Sequence, residues 1–593
     1  MITKITNTNV IFFLFLFTFS IFLNISQIYA DIPVHCQKQN IQGDWEFTFE
    51  SVKFTPSLDD IKTTCGHGFP DHVDQSQGDH DYSFDQSSKF KISLGDDFKS
   101  YQDGVVVGKW TPVYDEAFIL EVGDKIFTAF MKYYKEGGAF KSNCLKTMIG
   151  WLIPDKAQKE KNWSCFYGNK IVEPTAAKAG KHHMKVRPEK IDTFLEIKEN
   201  THIKAVSEDL DDNLGLLQVK TDINNSRYED HASIVDTINN MGLTWTAEIH
   251  DGFKGMSLIE LNNQPKLGVK RRNYDKEEIT KSSLLNNLLS PSLMQINSKN
   301  KNGIRASTNI NSKLATIEQD SEKVTNYEEV IKYINTEPED MNASELSKNW
   351  DWRNVGGKNY LPPLSEQKSC GSCYIFSALS SLEARLRIQT NLLDKTIFSR
   401  QYIVSCSIYT EGCEGGYPIL VGKFASEFEL IPDSCMPYKG KATECSTRCD
   451  PSVYPDKYTV SKYEYLGGHY GATSEELMMK EIRARGPMPG NIRVPWSFSY
   501  YKEGIFHHFH TLTPDPILNK LSILDKNITW EQVDHSILIV GWGEENGVKY
   551  WICMNTWGDN WGENGFFRVL RGKDECSIES MGDTLRIKKE VRK

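Results

Sequence analysis

The chain of 593 residues lacks a strong charge bias, a second long apolar run and, through its middle, cysteine. Its 69 Lys and Arg against 79 Asp and Glu leave a formal charge of −10, and the basic residues are not gathered into large clusters. That argues against nucleic acid as a partner, which asks for a concentrated basic face. The one long apolar run, Val10–Leu23, is shorter than the roughly 20 residues a bilayer span needs. Lys4 before it and Ile28-Tyr29-Ala30 after it give the order of a secretory signal, residues 1–30, cleaved after Ala30. The mature protein is expected to be soluble, in the secretory pathway, with no membrane span. In that oxidising compartment disulfides are the default for most of the 13 cysteines. Glycosylation sequons at Asn162, Asn224, Asn342 and Asn527 fit the same route.

One core cannot serve a chain of this length, and three or four units are expected. From Asp31 to about Gly168 the pattern is strand-like. Trp45, Phe47 and Phe49 alternate with Glu46, Thr48 and Glu50; Phe90, Ile92 and Leu94 alternate with Lys91 and Ser93. Short apolar runs at Val105–Val107 and Phe118–Val122 follow, with Gly104, Gly108 and Gly123 as turn signals. This predicts an all-β barrel or sandwich over 31–168 whose cysteines 36, 65, 144 and 165 form two staples. Residues 169–346 are polar and free of cysteine, and 268–345 are rich in Asn, Ser and Lys around Lys270-Arg271-Arg272. That stretch is expected to be an exposed, protease-accessible linker with little core of its own. Residues 347–593 hold nine cysteines and most of the chemistry.

The chemistry starts at Gln367-Lys368-Ser369-Cys370-Gly371-Ser372-Cys373. Two cysteines three apart read equally as a disulfide or metal pair or as a reactive thiol. Phe376, Leu379, Leu382 and Leu386 recur at helical spacing, which puts Cys373 in the first turn of an amphipathic helix. Free N–H groups there favour a thiolate, as does a neighbouring imidazolium. Such a nucleophile needs a base, and Val533-Asp534-His535-Ser536 leads a histidine into the apolar run Ile537–Val540. A third group should orient the ring, and Asn555 precedes Thr556-Trp557-Gly558.

With Cys413-Glu414-Gly415-Gly416 between them, these motifs make residues 347–580 resemble the papain family of cysteine proteases. The resemblance implies an α+β peptidase domain of two lobes, one helical and one a β-barrel. It implies that the Gln367 amide and the Cys373 backbone N–H form an oxyanion hole. It implies that Gly415 and Gly416 pair with extended substrate, and that Trp557 shields the Asn555–His535 bond from water. It further implies the disulfides Cys370–Cys413, Cys406–Cys445 and Cys435–Cys449, with Cys36–Cys144 and Cys65–Cys165 in the N-terminal unit. Cys373, Cys553 and Cys576 are then left over, with Cys553 a small apolar residue on a buried strand.

Tyr374 stands where most of the family has tryptophan. With Trp350-Asp351-Trp352-Arg353-Asn354-Val355 and Asp574-Glu575-Cys576-Ser577-Ile578-Glu579-Ser580 it resembles the cathepsin C, or dipeptidyl peptidase I, branch. The expected mature start, Asp31-Ile32-Pro33-Val34-His35-Cys36, is similar to that branch's own. The resemblance implies that the 31–168 barrel is an exclusion domain closing the groove beyond the second substrate residue. The Asp31 carboxylate would hold the free amine of peptide and protein substrates, so that dipeptides are released from their N-termini by a Cys–His thioester mechanism. An endopeptidase that loses the barrel is the alternative. Asp230–Asn239, Trp245–Ala247 and Met256-Ser257 resemble the branch's propeptide. The branch also implies a cut into heavy and light chains within 511–530, near Asp515-Pro516. A homotetramer and a lysosome-like or vacuolar compartment, or secretion, are implied as well. No metal and no organic cofactor are expected. The branch binds chloride near the second subsite through two tyrosines and a nearby backbone amide; Tyr465 keeps one tyrosine, Ile419 replaces the other, and Tyr417 stands two residues earlier.

Overall fold

The computed structural model describes residues 36–50, 83–84, 87–114, 116–136, 139–153, 163–171, 228–251, 320–445, 454–509 and 533–592. Asp31, Cys65, Cys449, Asn162, Asn224, Asn527, the signal segment, Met256-Ser257, Lys270-Arg271-Arg272 and Asp515-Pro516 lie outside them.

The N-terminal unit is a single antiparallel sheet. Its strands are β1 (Gly43–Glu50), β2 (Ser87–Leu94), β3 (Lys99–Gln102), β4 (Val105–Val113), β5 (Ala117–Val122), β6 (Lys125–Glu136), β7 (Ala139–Thr147), β8 (Gly150–Ile153) and β9 (Ser164–Lys170). Neighbours pair in succession through β7, and pairing of β1 with β9 closes the barrel, leaving no bare edge there. The predicted alternation holds, with Trp45, Phe47, Ile92 and Leu94 buried. Phe47 sits among aromatic rings, 5.5 Å from Phe90 and Phe127 and 5.7 Å from Phe166. Opposite it on β9 is Gly168, where a Cβ would come within 2.7 Å of the Phe47 ring. A glycine is what lets the barrel close over so large a side chain. Cys36–Cys144 ties the chain entry to β7. Cys165 is also disulfide-bonded, and its expected partner Cys65 is outside the described residues.

The propeptide-like stretch contributes α1 (Tyr228–Asn240) and β10 (Trp245–Ala247). The peptidase portion adds β11 (Trp350–Asp351), α2 (Cys373–Gln389), α3 (Arg400–Cys406), α4 (Pro418–Glu427) and β12 (Asp456–Tyr465). It continues with α5 (Glu475–Arg485), β13 (Met488–Ile492), β14 (Tyr501–Phe506), β15 (His535–Glu545), β16 (Val548–Met554), β17 (Phe566–Leu570) and β18 (Asp583–Val591). One sheet runs β10-β14-β17-β16-β15-β11, with β13 also on β15, and β12 pairs with β18. The fold is therefore α+β, with α2 packed on β15 and β13 of the sheet and on its neighbours α3 and α4.

Two expectations change. Helix α2 is not amphipathic in its surroundings: every residue from Cys373 to Ile388 is buried. Several of its polar residues find partners inside the protein. Ser381 donates to the Pro487 carbonyl at 2.8 Å, Glu383 pairs with Arg400, and Arg385 lies 2.9 Å from Glu481. The 268–345 stretch is not an exposed linker over its described part. Ser321, Val330, Tyr333 and Met341 are buried, and the Arg483 guanidinium lies 4.8 Å from the Tyr333 ring. Glu337 meets Arg485 at 3.2 Å and also Arg586. Sparse apolar residues without periodicity are gathered there by short 3₁₀ turns and pinned by arginines from elsewhere.

Candidate active site

Cys373 opens α2, with Ser372 as its N-cap residue. Cys370, three residues earlier, is bonded to Cys413, and Cys406 to Cys445, as expected. Cys435 is disulfide-bonded too, while its expected partner Cys449 lies outside the described residues. Cys373, Cys553 and Cys576 are free and buried. The motif thus splits into a structural Cys370 and a free Cys373.

The Cys373 Sγ accepts the Ser536 backbone N–H at 3.3 Å. That amide follows His535, the first residue of β15, so strand register sets thiol and imidazole side by side. Ser377 on α2 holds the same strand, its Oγ 2.7 Å from Ser536 Oγ. Asn555 Oδ1 lies 2.8 Å from His535 Nε2 and also accepts the Thr556 N–H at 2.8 Å. An amide oxygen only accepts, so Nε2 carries the proton and Nδ1 is the basic nitrogen. His535 Nδ1 is buried with no hydrogen-bond partner among the described residues, free to take a thiol proton. The Trp557 ring centre is 5.1 Å from that of His535 at 34°, covering the Asn–His bond.

Burial sets the protonation. Cys373 and His535 are both fully buried. Burial pushes the Cys373 thiol well up, against the weaker pull of backbone amides, and pushes His535 down to about 4. Both shifts favour a neutral thiol–imidazole pair in the closed site, because low dielectric penalises each charge.

Gln367 is buried beside them, but its Nε2 donates to the Cys370 carbonyl at 3.0 Å and its Oε1 accepts from Thr556 Oγ1. The amide nitrogen has two hydrogens, and this bond uses one. Tyr438 clamps the turn: its hydroxyl donates to the Gln367 carbonyl at 2.6 Å and lies 2.7 Å from Ser372 Oγ. Gly415 and Gly416 are buried, with φ of 127° and 153°. A Cβ on Gly416 would lie 2.8 Å from the Tyr374 ring, whose hydroxyl donates to the Gly412 carbonyl at 2.9 Å. The residue that replaces tryptophan therefore supports the glycine segment.

The N-terminal barrel reaches this site. Tyr114 donates its hydroxyl to the Val533 carbonyl at 3.4 Å, two residues before His535, and its ring lies 5.0 Å from Tyr417. Phe98 stacks on His469 at 3.9 Å, and Tyr470 N–H donates to Thr111 Oγ1 at 3.1 Å. Ser536, Thr556, Tyr438 and Tyr114 carried no signal in the sequence, since each acts across a long chain separation.

Of the remaining expected sites, Asn342 is exposed, with its Oδ1 capping a short turn from Ser344 N–H. Tyr465, Tyr417 and Ile419 are buried. Cys553 lies on β16, as expected. Among the described residues no cluster of His, Cys, Asp and Glu suits a metal, and no helix is long and apolar enough to cross a membrane.

Family profiles match two parts of the chain: papain family cysteine protease over residues 346–584 and cathepsin C exclusion domain over residues 31–170. A protein named cathepsin C from Schistosoma mansoni is 27% identical over 556 residues, covering 93% of this chain and 94% of its own. Dipeptidyl aminopeptidase 1 of Plasmodium falciparum (isolate 3D7) is 25% identical, covering 93% and 92%. A cathepsin B-like protein, CP2, of Giardia intestinalis is 33% identical over 226 residues, 37% of this chain and 67% of its own. The chain belongs to the papain family of cysteine proteases and carries the exclusion domain of its cathepsin C branch.

Proposed function

We propose that the chain is a cysteine-type dipeptidyl peptidase whose nucleophile is Cys373 and whose proton carrier is His535. The observation that carries this reading is the docking of a closed barrel against the segment leading into His535. A wall beside the catalytic pair limits how much substrate chain fits, and that turns an endopeptidase cleft into an exopeptidase. In the reaction the Cys373 thiol gives its proton to His535 Nδ1 as sulfur attacks the carbonyl after the second substrate residue. The negative oxygen is met by the Cys373 backbone N–H and the second hydrogen of the Gln367 amide. His535 then protonates the leaving amine, and the thioester forms. Water, deprotonated by the same imidazole, hydrolyses it and releases the dipeptide. Asn555 and Trp557 position the ring, and Gly415 and Gly416 present bare backbone to extended substrate. The Asp31 carboxylate pairs with the substrate's free ammonium. An endopeptidase acting after loss of the barrel is not favoured by the end-to-end match to exclusion-domain relatives.

Cys373→Ala is expected to lower turnover of a free-amine dipeptidyl substrate by roughly 10⁴-fold or more. Acetylating the substrate amine should do nearly the same to the wild type. Sustained cleavage of the acetylated substrate by protein that retains its barrel defeats the exopeptidase reading. A homotetramer and a lysosome-like compartment belong to the same proposal, tested by light scattering and by locating the tagged protein.

The residues present do not fit the branch's chloride. The Tyr465 hydroxyl is buried without a hydrogen-bond partner of normal geometry, as an anion donor should be. Ile419, buried in α4, brings no hydroxyl. The groups facing Tyr465 are the backbone at Tyr114 and two carboxyl groups, Asp583 and Glu116, which oppose an anion when ionised.

A further inference from the structure

Three buried polar atoms in one small region lack a hydrogen-bond partner of normal geometry among the described residues: Tyr465 Oη, which the Tyr114 backbone faces, Asp583 Oδ1 and Asn491 Oδ1. Tyr465 and Asp583 stand directly opposite each other on the antiparallel β12–β18 pair, so their side chains share a face. Asn491 Nδ2 donates to Asp583 Oδ2 at 3.0 Å, leaving Oδ1 open. No cation pairs with Asp583 among the described residues, and the carboxyl is fully buried. Buried polar atoms are nearly always satisfied, so an orphaned donor facing an orphaned acceptor calls for a link between them. The region is not remote from the chemistry. Asn491 is the β13 partner of Ser536, whose N–H meets the Cys373 sulfur.

We infer that in this chain the carboxyl of Asp583 takes the acceptor role at Tyr465 that chloride holds in the branch, so that the enzyme works without halide. This rests on the peptidase reading above and adds a positioning residue to it. The two groups are not in direct hydrogen-bond contact, and a carboxyl oxygen accepts the tyrosine O–H through one water, in either protonation state. Burial pushes Asp583 up to about 7, so above that pH its charge also repels any anion at the site. With Ile419 in place of the second hydroxyl, a halide at Tyr465 would meet one hydroxyl, the Tyr114 backbone and the carboxyl groups of Asp583 and Glu116. The acceptor is thus built into the chain, held by Asn491 and aligned with the strand that carries His535.

The experiment measures dipeptidyl turnover and melting temperature in chloride-free buffer and across a chloride titration, at acidic and at neutral pH. For the wild type both should stay flat. Asp583→Ala, which removes the acceptor, should lose turnover without chloride, recover it as chloride is added, and melt higher with chloride bound. A wild type that loses an order of magnitude in rate without chloride, or that melts higher with it, overturns the inference. So does an Asp583→Ala enzyme as indifferent to chloride as the wild type. If that variant does not fold, the wild-type titration alone decides. Absence of dipeptidyl turnover under every condition would sink the functional reading instead, while the melting curves still answer the chloride question.

Discussion

The N-terminal barrel is stabilised from within by aromatic rings, whereas the helical side of the peptidase is pinned by ion pairs with almost no solvent around them. Phe47 meets Phe90, Phe127 and Phe166 in the barrel interior. In the peptidase portion, Glu383 of α2 takes a fork of bonds from Arg400, including one of 2.8 Å, with both side chains essentially unexposed. Glu481 of α5 receives Arg385 and Arg485 at 2.9 Å and 2.8 Å. A closed sheet satisfies its own backbone and needs only apolar filling. Packed helices joined to a sheet by long connections gain one orientation from polar pairs that tolerate no slippage. The lesson is that the wall and the machinery fail differently when disturbed.

The difference breaks most sharply at Glu383. Glu383→Ala leaves Arg400 buried and uncompensated, which should cost about 3–5 kcal/mol. Denaturant unfolding should show a lower midpoint with an unchanged slope. Phe47→Ala should cost a similar amount, about 3–5 kcal/mol, because it opens a cavity among rings that cannot close up. Its signature is specific: as the barrel loosens, cleavage of amine-blocked peptides should rise while Cys373 remains reactive. A loosened barrel with no such rise would separate the wall from the exopeptidase activity. Asp583→Asn has a smaller, pH-dependent effect. The carboxyl's folded value, about 7, lies above its unfolded value, so it adds stability below about 4 that is lost as pH rises through 7. The melting-temperature advantage of wild type over Asp583→Asn should therefore shrink from pH 4 to pH 8. Smallest of all, Lys89→Ala on the barrel surface removes an exposed pair with Glu46 and should leave the midpoint unmoved.

How much of this was legible in the sequence follows from distance along the chain. Cys373, His535, Asn555 and Trp557 each sit in a short motif whose neighbours mark it, and the structure brings all four together. The barrel was readable because alternation at Trp45–Phe49 and Phe90–Leu94 is a local pattern. Tyr438 reaches Gln367 across 71 positions and Thr556 reaches it across 189, so neither leaves a local trace. The buried helix α2 was underestimated because Glu383 and Arg385 look like a solvent face until Arg400 and Glu481 are known. The segment from Ser321 to Met341 reads as linker because its anchors, Arg483, Arg485 and Arg586, belong to a different part of the chain. Asp583 gave no warning at all, being one acid in an ordinary strand.

Strand β10, in the propeptide-like stretch, caps the sheet by pairing with β14. Loss of that stretch would leave β14 a naked edge, and naked edges recruit strands from other molecules. Lys502 and Glu503 project from β14 into solvent, and charges of this kind discourage stacking between copies. The propeptide-like stretch thus sheathes an adhesive border, and those two residues would guard it in a chain without the sheath.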